Sequence, residues 1–248
     1  MKVLAGGCRV FSAGEGRRGE DGTRSFRSTV CRETGAREIA QMVSEYRRGR
    51  AAARVHPAAE EVLYVVSGQG ACHIGGFRYA LEAGAGAYIP AGTAWSMENL
   101  SNNPLVVLSV CCPEEQAQSA EEPASPPADE PPRRVVHERE REAIRSGDRR
   151  FKLLVDKDLG CRQVTQFVGF IPPSKAPFHY HTYEETIYIL EGVGVVHTEE
   201  ESAEFGPGTS IYLPPGTRHC LENPGRDAVK LLGVFYPSGS PATRYDDH

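Results

Sequence analysis

Pro177-Phe178-His179-Tyr180-His181-Thr182-Tyr183-Glu184-Glu185-Thr186-Ile187-Tyr188-Ile189-Leu190-Glu191-Gly192 places two imidazoles two residues apart, then two carboxylates, then a run of apolar side chains. The run from Thr186 to Leu190 is rich in β-branched and aromatic residues, the composition of a buried strand. Side chains alternate faces along an extended backbone, so His179 and His181 share one face. Glu185 follows four residues later, past a bend, and can swing to the same centre. Farther on the chain reads Gly208, five residues, Pro214-x-Gly216, two residues, His219, three residues, Asn223. The Pro-Gly turn would aim His219 at that centre from a neighbouring strand. Three neutral imidazoles and a carboxylate suit a borderline divalent metal. They leave one or two coordination positions open for water, substrate or dioxygen. A cluster of hydrogen-bonded polar side chains without an ion is the alternative for the same four residues.

The pattern occurs twice. At an offset of 124, Glu60-Glu61, Tyr64, Gly68, His73, Gly84, Tyr88, Pro90, Gly92-Thr93 and Glu98-Asn99 recur in the second half. Upstream the offset becomes 125, as Gly35, Arg37, Gln41 and Val43 recur as Gly160, Arg162, Gln166 and Val168. A whole domain is therefore duplicated. The stretch 113–132 is rich in Pro, Glu, Ala, Ser and Gln and reads as an extended or mobile linker. The domains are then 1–112 and 133–248. In each, short β-rich runs such as Val62–Val66, Ala87–Ile89, Leu105–Leu108, Ile211–Leu213 and Val229–Leu232 are separated by Gly, Pro and Asn, the pattern of an all-β sandwich or barrel. Arg139–Ile144 is a candidate short helix.

The two motifs of the second half, His179, His181, Glu185, Gly192 and then Gly208, Pro214, Gly216, His219, Asn223, resemble those of the cupin superfamily, in full and in order. With the degenerate first half, the whole chain resembles a bicupin. The resemblance implies two tandem double-stranded β-helix (jelly-roll) barrels. It also implies a 3-His-1-Glu site at His179, His181, Glu185 and His219 for one divalent transition metal, whether Fe, Mn, Ni, Zn or Cu. In the first half Glu185 corresponds to Glu61 and His219 to Trp95, whose indole offers no lone pair to a cation. His179 and His181 correspond to Val55 and Pro57, or, if the one-residue indel lies later, to Arg54 and His56. At most two ligands survive, so the first barrel is expected to be metal-free, with a structural role preferred over ligand stacking on Trp95.

The candidate substrate pocket comprises Phe178, Tyr183, Gln166, Tyr188 and Tyr212, with Phe170 and Tyr180 nearby, although Tyr188 and Tyr212 also recur in the first half and core packing is their default. Recurrence in the half without a site likewise argues for a barrel role for His197, Arg162 and, in part, Gln166. The resemblance points first to O₂-dependent oxidation of a small organic molecule, dioxygenase-like, with Glu185 a ligand that could double as catalytic base. The alternatives are a non-oxidative isomerase, epimerase or lyase, and a binding protein without turnover. A non-oxidative enzyme needs a separate general base, for which Glu184, Tyr183 and His197 are the candidates.

Composition narrows the setting. With 28 basic against 33 acidic side chains, net charge −5, nothing attracts a phosphate backbone, so no nucleic-acid partner is expected. No apolar run approaches the ~20 residues that span a bilayer, so no membrane partner is expected either. Seven cysteines, an odd number without a C-x-x-C pair, point to a reducing cytoplasm. The expected partner is a small-molecule substrate, and the chain a monomer or homodimer.

Overall fold

The computed structural model describes residues 1–123 and 130–242, so the centre of the proposed linker lies outside the described residues. Among these the chain is all strand and loop, with four single-turn 3₁₀ helices. Two tandem jelly-roll barrels follow the sequence duplication. In the second, an eight-stranded antiparallel sheet centres on Ser210–Leu213, Glu184–Glu191, Val229–Tyr236 and Thr165–Ile171. It faces a four-stranded sheet of Ser174–Lys175, His219–Asn223, Gly194–Thr198 and Ser202–Phe205. The first barrel repeats this with Ala85–Ile89, Glu60–Ser67, Leu105–Cys112 and Ala40–Tyr46 against Gln69–Ile74 and Trp95–Asn99.

The central strands are apolar on both faces because both faces are covered. Ile187, Ile189, Ile211, Leu213 and Phe235 fill the interior of the second barrel. Their neighbours of opposite parity, Tyr188, Tyr212, Leu232 and Val234, pack with Val43, Val62, Tyr64, Tyr88 and Leu108 of the first half in a core between the barrels.

Two short strands cross the boundaries read from the sequence. Arg9–Phe11 pairs with Ser210–Leu213 of the second barrel, and Val135–His137 pairs with Ala85–Ile89 of the first. The exchange is reciprocal: Val10 faces Ile211 as Val135 faces Ala87. Each strand caps an edge that would otherwise expose unpaired N–H and C=O groups. Domain 1–112 thus lends its first strands to the second barrel, while 133–248 lends residues 135–137 to the first. Part of the linker is also ordered, as Gln118–Ser119 pairs with Arg54–Val55.

The candidate helix over Arg139–Ile144 is replaced by one 3₁₀ turn, Glu138–Glu140. The His137 ring accepts from Arg139 N, Arg141 returns to extended backbone, and Ile144 pairs with Phe151 in the sheet. Sheet pairing overrides a weak local helix preference.

Buried carboxylates tie the barrels together. Glu184 accepts from the backbone N–H of Arg37 and of Glu38, each at 2.7 Å, and from the Tyr212 hydroxyl. Its repeat partner Glu60 accepts from Gln163 N at 3.0 Å, Cys161 Sγ at 3.2 Å and the Tyr88 hydroxyl at 2.7 Å. Each barrel therefore supplies a carboxylate to a loop of the other.

Candidate metal centre

His179 and His219 form an antiparallel bridge, His179 N to His219 O at 3.0 Å and His219 N to His179 O at 2.9 Å. Directly opposed residues project to the same face. The His181 carbonyl accepts from Gly216 N at 2.7 Å, which anchors the third imidazole to the Pro-Gly turn that precedes His219. Gly216 holds φ +80° there, a conformation that favours glycine. Glu185 enters from the strand Glu184–Glu191, opposite Leu213 and Phe235. The coordinating atoms of His179, His181 and His219 lie within 4.8 Å of one another, and Glu185 Oε2 is 3.5 Å from His181 Nε2.

The tautomers are set from behind. His179 Nδ1 lies 3.1 Å from the Pro177 carbonyl and His219 Nδ1 2.8 Å from the Thr217 carbonyl, so each Nδ1 carries the proton and each Nε2 presents its lone pair. Tyr183 stacks on the His181 ring at 4.6 Å and on Phe235 at 4.4 Å, fixing that imidazole's plane. Burial and the neighbouring His179 push His219 down to about 4, which keeps it neutral, as ligation requires. Burial pushes the Glu185 carboxyl up to about 8. A carboxylate this buried needs a cation beside it to ionise at neutral pH. Three of the four predicted ligands, His179, His181 and His219, form one cluster, with Glu185 beside His181, and these donors suit one divalent transition metal.

These shifts predict a pH dependence for the metal-free protein. Between pH 6.5 and 8, folded His219 is neutral while unfolded His219, at its ordinary value of 6.5, sheds its remaining proton; Glu185 is largely protonated when folded and ionised when unfolded. On balance the unfolded chain binds fewer protons, so stability falls as pH rises, by about 1 kcal/mol over this window, less than the full 1.36 kcal/mol per pH unit because both groups titrate within it. Below pH 6.5 the depressed His219 acts in the opposite sense and offsets Glu185. In the metal-loaded protein Glu185 is already ionised, and the decline disappears. Urea melts of chelated and Mn(II)-loaded protein at pH 6.5 and 8 check this; a flat or rising chelated curve contradicts it.

The ligands face a cavity of about 100 Å³, walled by Phe151, Phe167, Ile187, Leu221 and Leu231, with Arg149, Arg150 and Phe170 also on its lining. Phe167 lies across Gly233, where an added Cβ would come within 2.2 Å of the ring. Of the predicted pocket residues, Tyr183 buttresses His181, and Phe178 is half-buried beside His179 outside the cavity wall. Gln166, Tyr188 and Tyr212 do not line this cavity. They have the opposite strand parity and face the first barrel, where Tyr188 and Tyr212 join the central core. Gln166 abuts Gly86, whose repeat counterpart Ser210 hydrogen-bonds Gln41 at 2.7 Å. Among the candidate bases, Glu184 is occupied at the barrel junction, and His197 pairs with Glu222 at 2.7 Å, as His73 does with Glu98 at 3.3 Å in the first barrel. The missed residues Phe151, Phe167, Arg149 and Arg150 had one usable signal, the parity of Phe167 against Gln166.

The first barrel places different side chains at the corresponding positions. Gly92 N donates to the His56 carbonyl as Gly216 N does to His181, and Trp95 pairs with Arg54 as His219 does with His179. The indel therefore lies later, and Arg54, His56, Glu61 and Trp95 stand in the four ligand positions. The Arg54 guanidinium stacks 3.8 Å over the Trp95 ring and lies 3.8 Å from Glu61, whose other oxygen is 3.3 Å from His56 Nε2. Burial alone would raise Glu61, but His56 and Arg54 hold it below the usual carboxylate range, the opposite of Glu185. A tethered guanidinium occupies the electrostatic role of an ion.

Known proteins agree with this architecture. The Cupin domain family matches residues 43–111 and 167–235. An uncharacterised protein of Methanocaldococcus jannaschii is 45% identical over 65 residues, 26% of this chain and 52% of that protein. A mannose-1-phosphate guanylyltransferase of Salmonella montevideo is 39% identical over 56 residues, 23% of this chain and 12% of that enzyme. The matched stretch thus spans about half of the first relative and about an eighth of the second. Among solved structures, Bacillus subtilis oxalate decarboxylase superposes with TM-score 0.75 at 16% identity over 92% of this chain and 76% of that one. Escherichia coli Ylba does so with TM-score 0.75 at 15% identity over 95% and 93%. Two cupin domains cover more than half of the sequence, and the chain belongs to the cupin superfamily as a bicupin.

Proposed function

We propose that this bicupin is a metal-dependent enzyme that oxidises a small organic acid with O₂ in its second barrel. The observation that carries this is the convergence of three imidazoles and Glu185 on one small, apolar-walled cavity. Its volume of about 100 Å³ is below the ~150 Å³ that accommodates benzene in an engineered cavity, so only a substrate of few heavy atoms fits beside the ion. Arg149 and Arg150 bring positive charge to the cavity and favour an anionic substrate. A bound divalent metal would supply a Lewis acid and, where redox-active, electron transfer to O₂. The chain's own contribution is to hold the ligand tautomers, exclude bulk water with Phe151 and Phe167, and orient the acid.

Non-oxidative isomerase, epimerase or lyase chemistry ranks second. It needs a proton-transfer group beside the ion, and among the described residues lining the cavity Glu185, itself placed as a ligand, is the sole carboxylate. All seven cysteines are unpaired thiols, which fits a reducing compartment, and we assign the cytoplasm. No helix among the described residues is long and apolar enough to cross a membrane. Because the two barrels already pack on each other within one chain, we infer a monomer, or a homodimer of bicupins, acting on a small molecule.

The test is anaerobic reconstitution with Fe(II) or Mn(II), followed by O₂ and a panel of C2–C4 hydroxy and keto acids. Oxygen uptake that disappears in His219→Ala supports oxidation. Conversion without oxygen uptake overturns it in favour of the non-oxidative reading.

A further inference from the structure

We propose that the first barrel holds a small organic carboxylate between the guanidinium groups of Arg24 and Arg54. This is a second site, separate from the metal centre and independent of the reaction assigned to it.

The first barrel has a cavity of about 720 Å³, roughly seven times that beside the metal ligands. Arg24, Arg54, His56 and Glu61 line it, together with the apolar Phe26 and Met42. Arg17 and Arg18 also line it but are exposed, so the buried guanidinium groups are those of Arg24 and Arg54, set against the one deeply buried carboxylate, Glu61. Glu61 is already shared between Arg54 at 3.8 Å and His56 at 3.3 Å. Arg24 is 9% exposed, its Nε is buried without a hydrogen-bond partner, and its ion-pair partner Asp21 is a loose contact at 3.9 Å from a side chain 58% exposed. Such an exposed partner compensates little. The other lining carboxylates are engaged elsewhere: Glu33 by Arg17 at 3.0 Å, Glu114 by Arg32 N at 2.6 Å and Glu115 by the N–H groups of Ala58 and Ala59. Burial, then the nearby Arg54, lowers the Arg24 pKa, as expected of a cation short of counter-charge. Burying an uncompensated charge is costly, and one bound monoanion would relieve it.

Geometry selects the kind of anion. Arg54 lies flat on Trp95 at 3.8 Å and donates to the Tyr46 hydroxyl at 3.3 Å, while Arg24 stacks on Phe26 at 4.5 Å. Stacking fixes the guanidinium planes and directs binding to their N–H edges, which match a carboxylate bidentately. Phe26 and Met42 offer contact to an apolar body behind that carboxylate.

Trp95 is the sole tryptophan of the chain, so its fluorescence reports on this barrel alone. The metal-loaded full chain is titrated with butyrate, benzoate and inorganic phosphate. We expect a saturable Trp95 signal with the organic acids, with affinity weakened at least about tenfold in Arg24→Gln and in Arg54→Gln. Arg24→Lys, which keeps the charge but loses the fork, falls between. Chelated wild type binds the acids as the metal-loaded chain does, which separates this site from the metal centre. No saturable signal with either acid, or wild-type affinity in Arg24→Gln, overturns the proposal. Equal or tighter binding of phosphate overturns its assignment to organic carboxylates.

Discussion

His219→Ala is expected to lower metal affinity by at least about 100-fold and to remove activity with it. Loss of a residue that merely orients a ligand costs about 10–100-fold, and His219 is a ligand candidate itself. It is 3% exposed, neutral, and held by Thr217 with Nε2 directed at the other two imidazoles. The backbone bridge to His179 does not depend on the side chain, so the variant should fold. Metal content after dialysis checks the first part. Oxygen uptake checks the second, and melting with and without chelator checks the first independently: wild type loses thermal stability when the ion is removed, and His219→Ala does not respond. A variant that retains stoichiometric metal contradicts the ligand assignment.

Glu184→Ala should destabilise the protein by about 3 kcal/mol, and Glu60→Ala by a similar amount. Each substitution strands buried and part-buried donors that had shared one carboxylate: Arg37 N, Glu38 N and Tyr212 in one case, Gln163 N, Cys161 and Tyr88 in the other. An unsatisfied buried donor costs about 1–3 kcal/mol, more when its partner was charged. For a chain of this size that corresponds to about 6–12 °C in Tm. Glu204→Ala, at an exposed position, is the control and should be near neutral. Costs below about 1 kcal/mol at both Glu60 and Glu184 would contradict the cross-barrel role given to them.

Local pattern accounts for what was legible in the sequence. The duplication, the strands and the clustering of His179, His181 and His219 all follow from spacing, because strand alternation and Pro-Gly turns act over a few residues. The paired glutamates were half legible: the second of each pair points into its own barrel, while the function of the first depends on the other barrel. Non-local effects account for the rest. Exchange of Arg9–Phe11 for Val135–His137 leaves each strand paired to a sequence-distant edge, and no local pattern encodes it. Tyr188 and Tyr212 were candidates for the pocket because they are aromatic and close in sequence to the ligands. Parity instead placed Phe151 and Phe167 there. That Trp95 stands where the second barrel has His219 was visible, but not that Arg54 would lie over its ring, since the indel could be placed in two ways.

Element analysis combined with metal-edge anomalous scattering from crystals grown with Mn, Fe, Ni or Zn tests the central claim most directly. One ion per chain is predicted, within about 2.0–2.2 Å of His179, His181, His219 and Glu185, with none beside Arg54 and Glu61. Solvent alone between those imidazoles, or an ion bound instead in the first barrel, would contradict it.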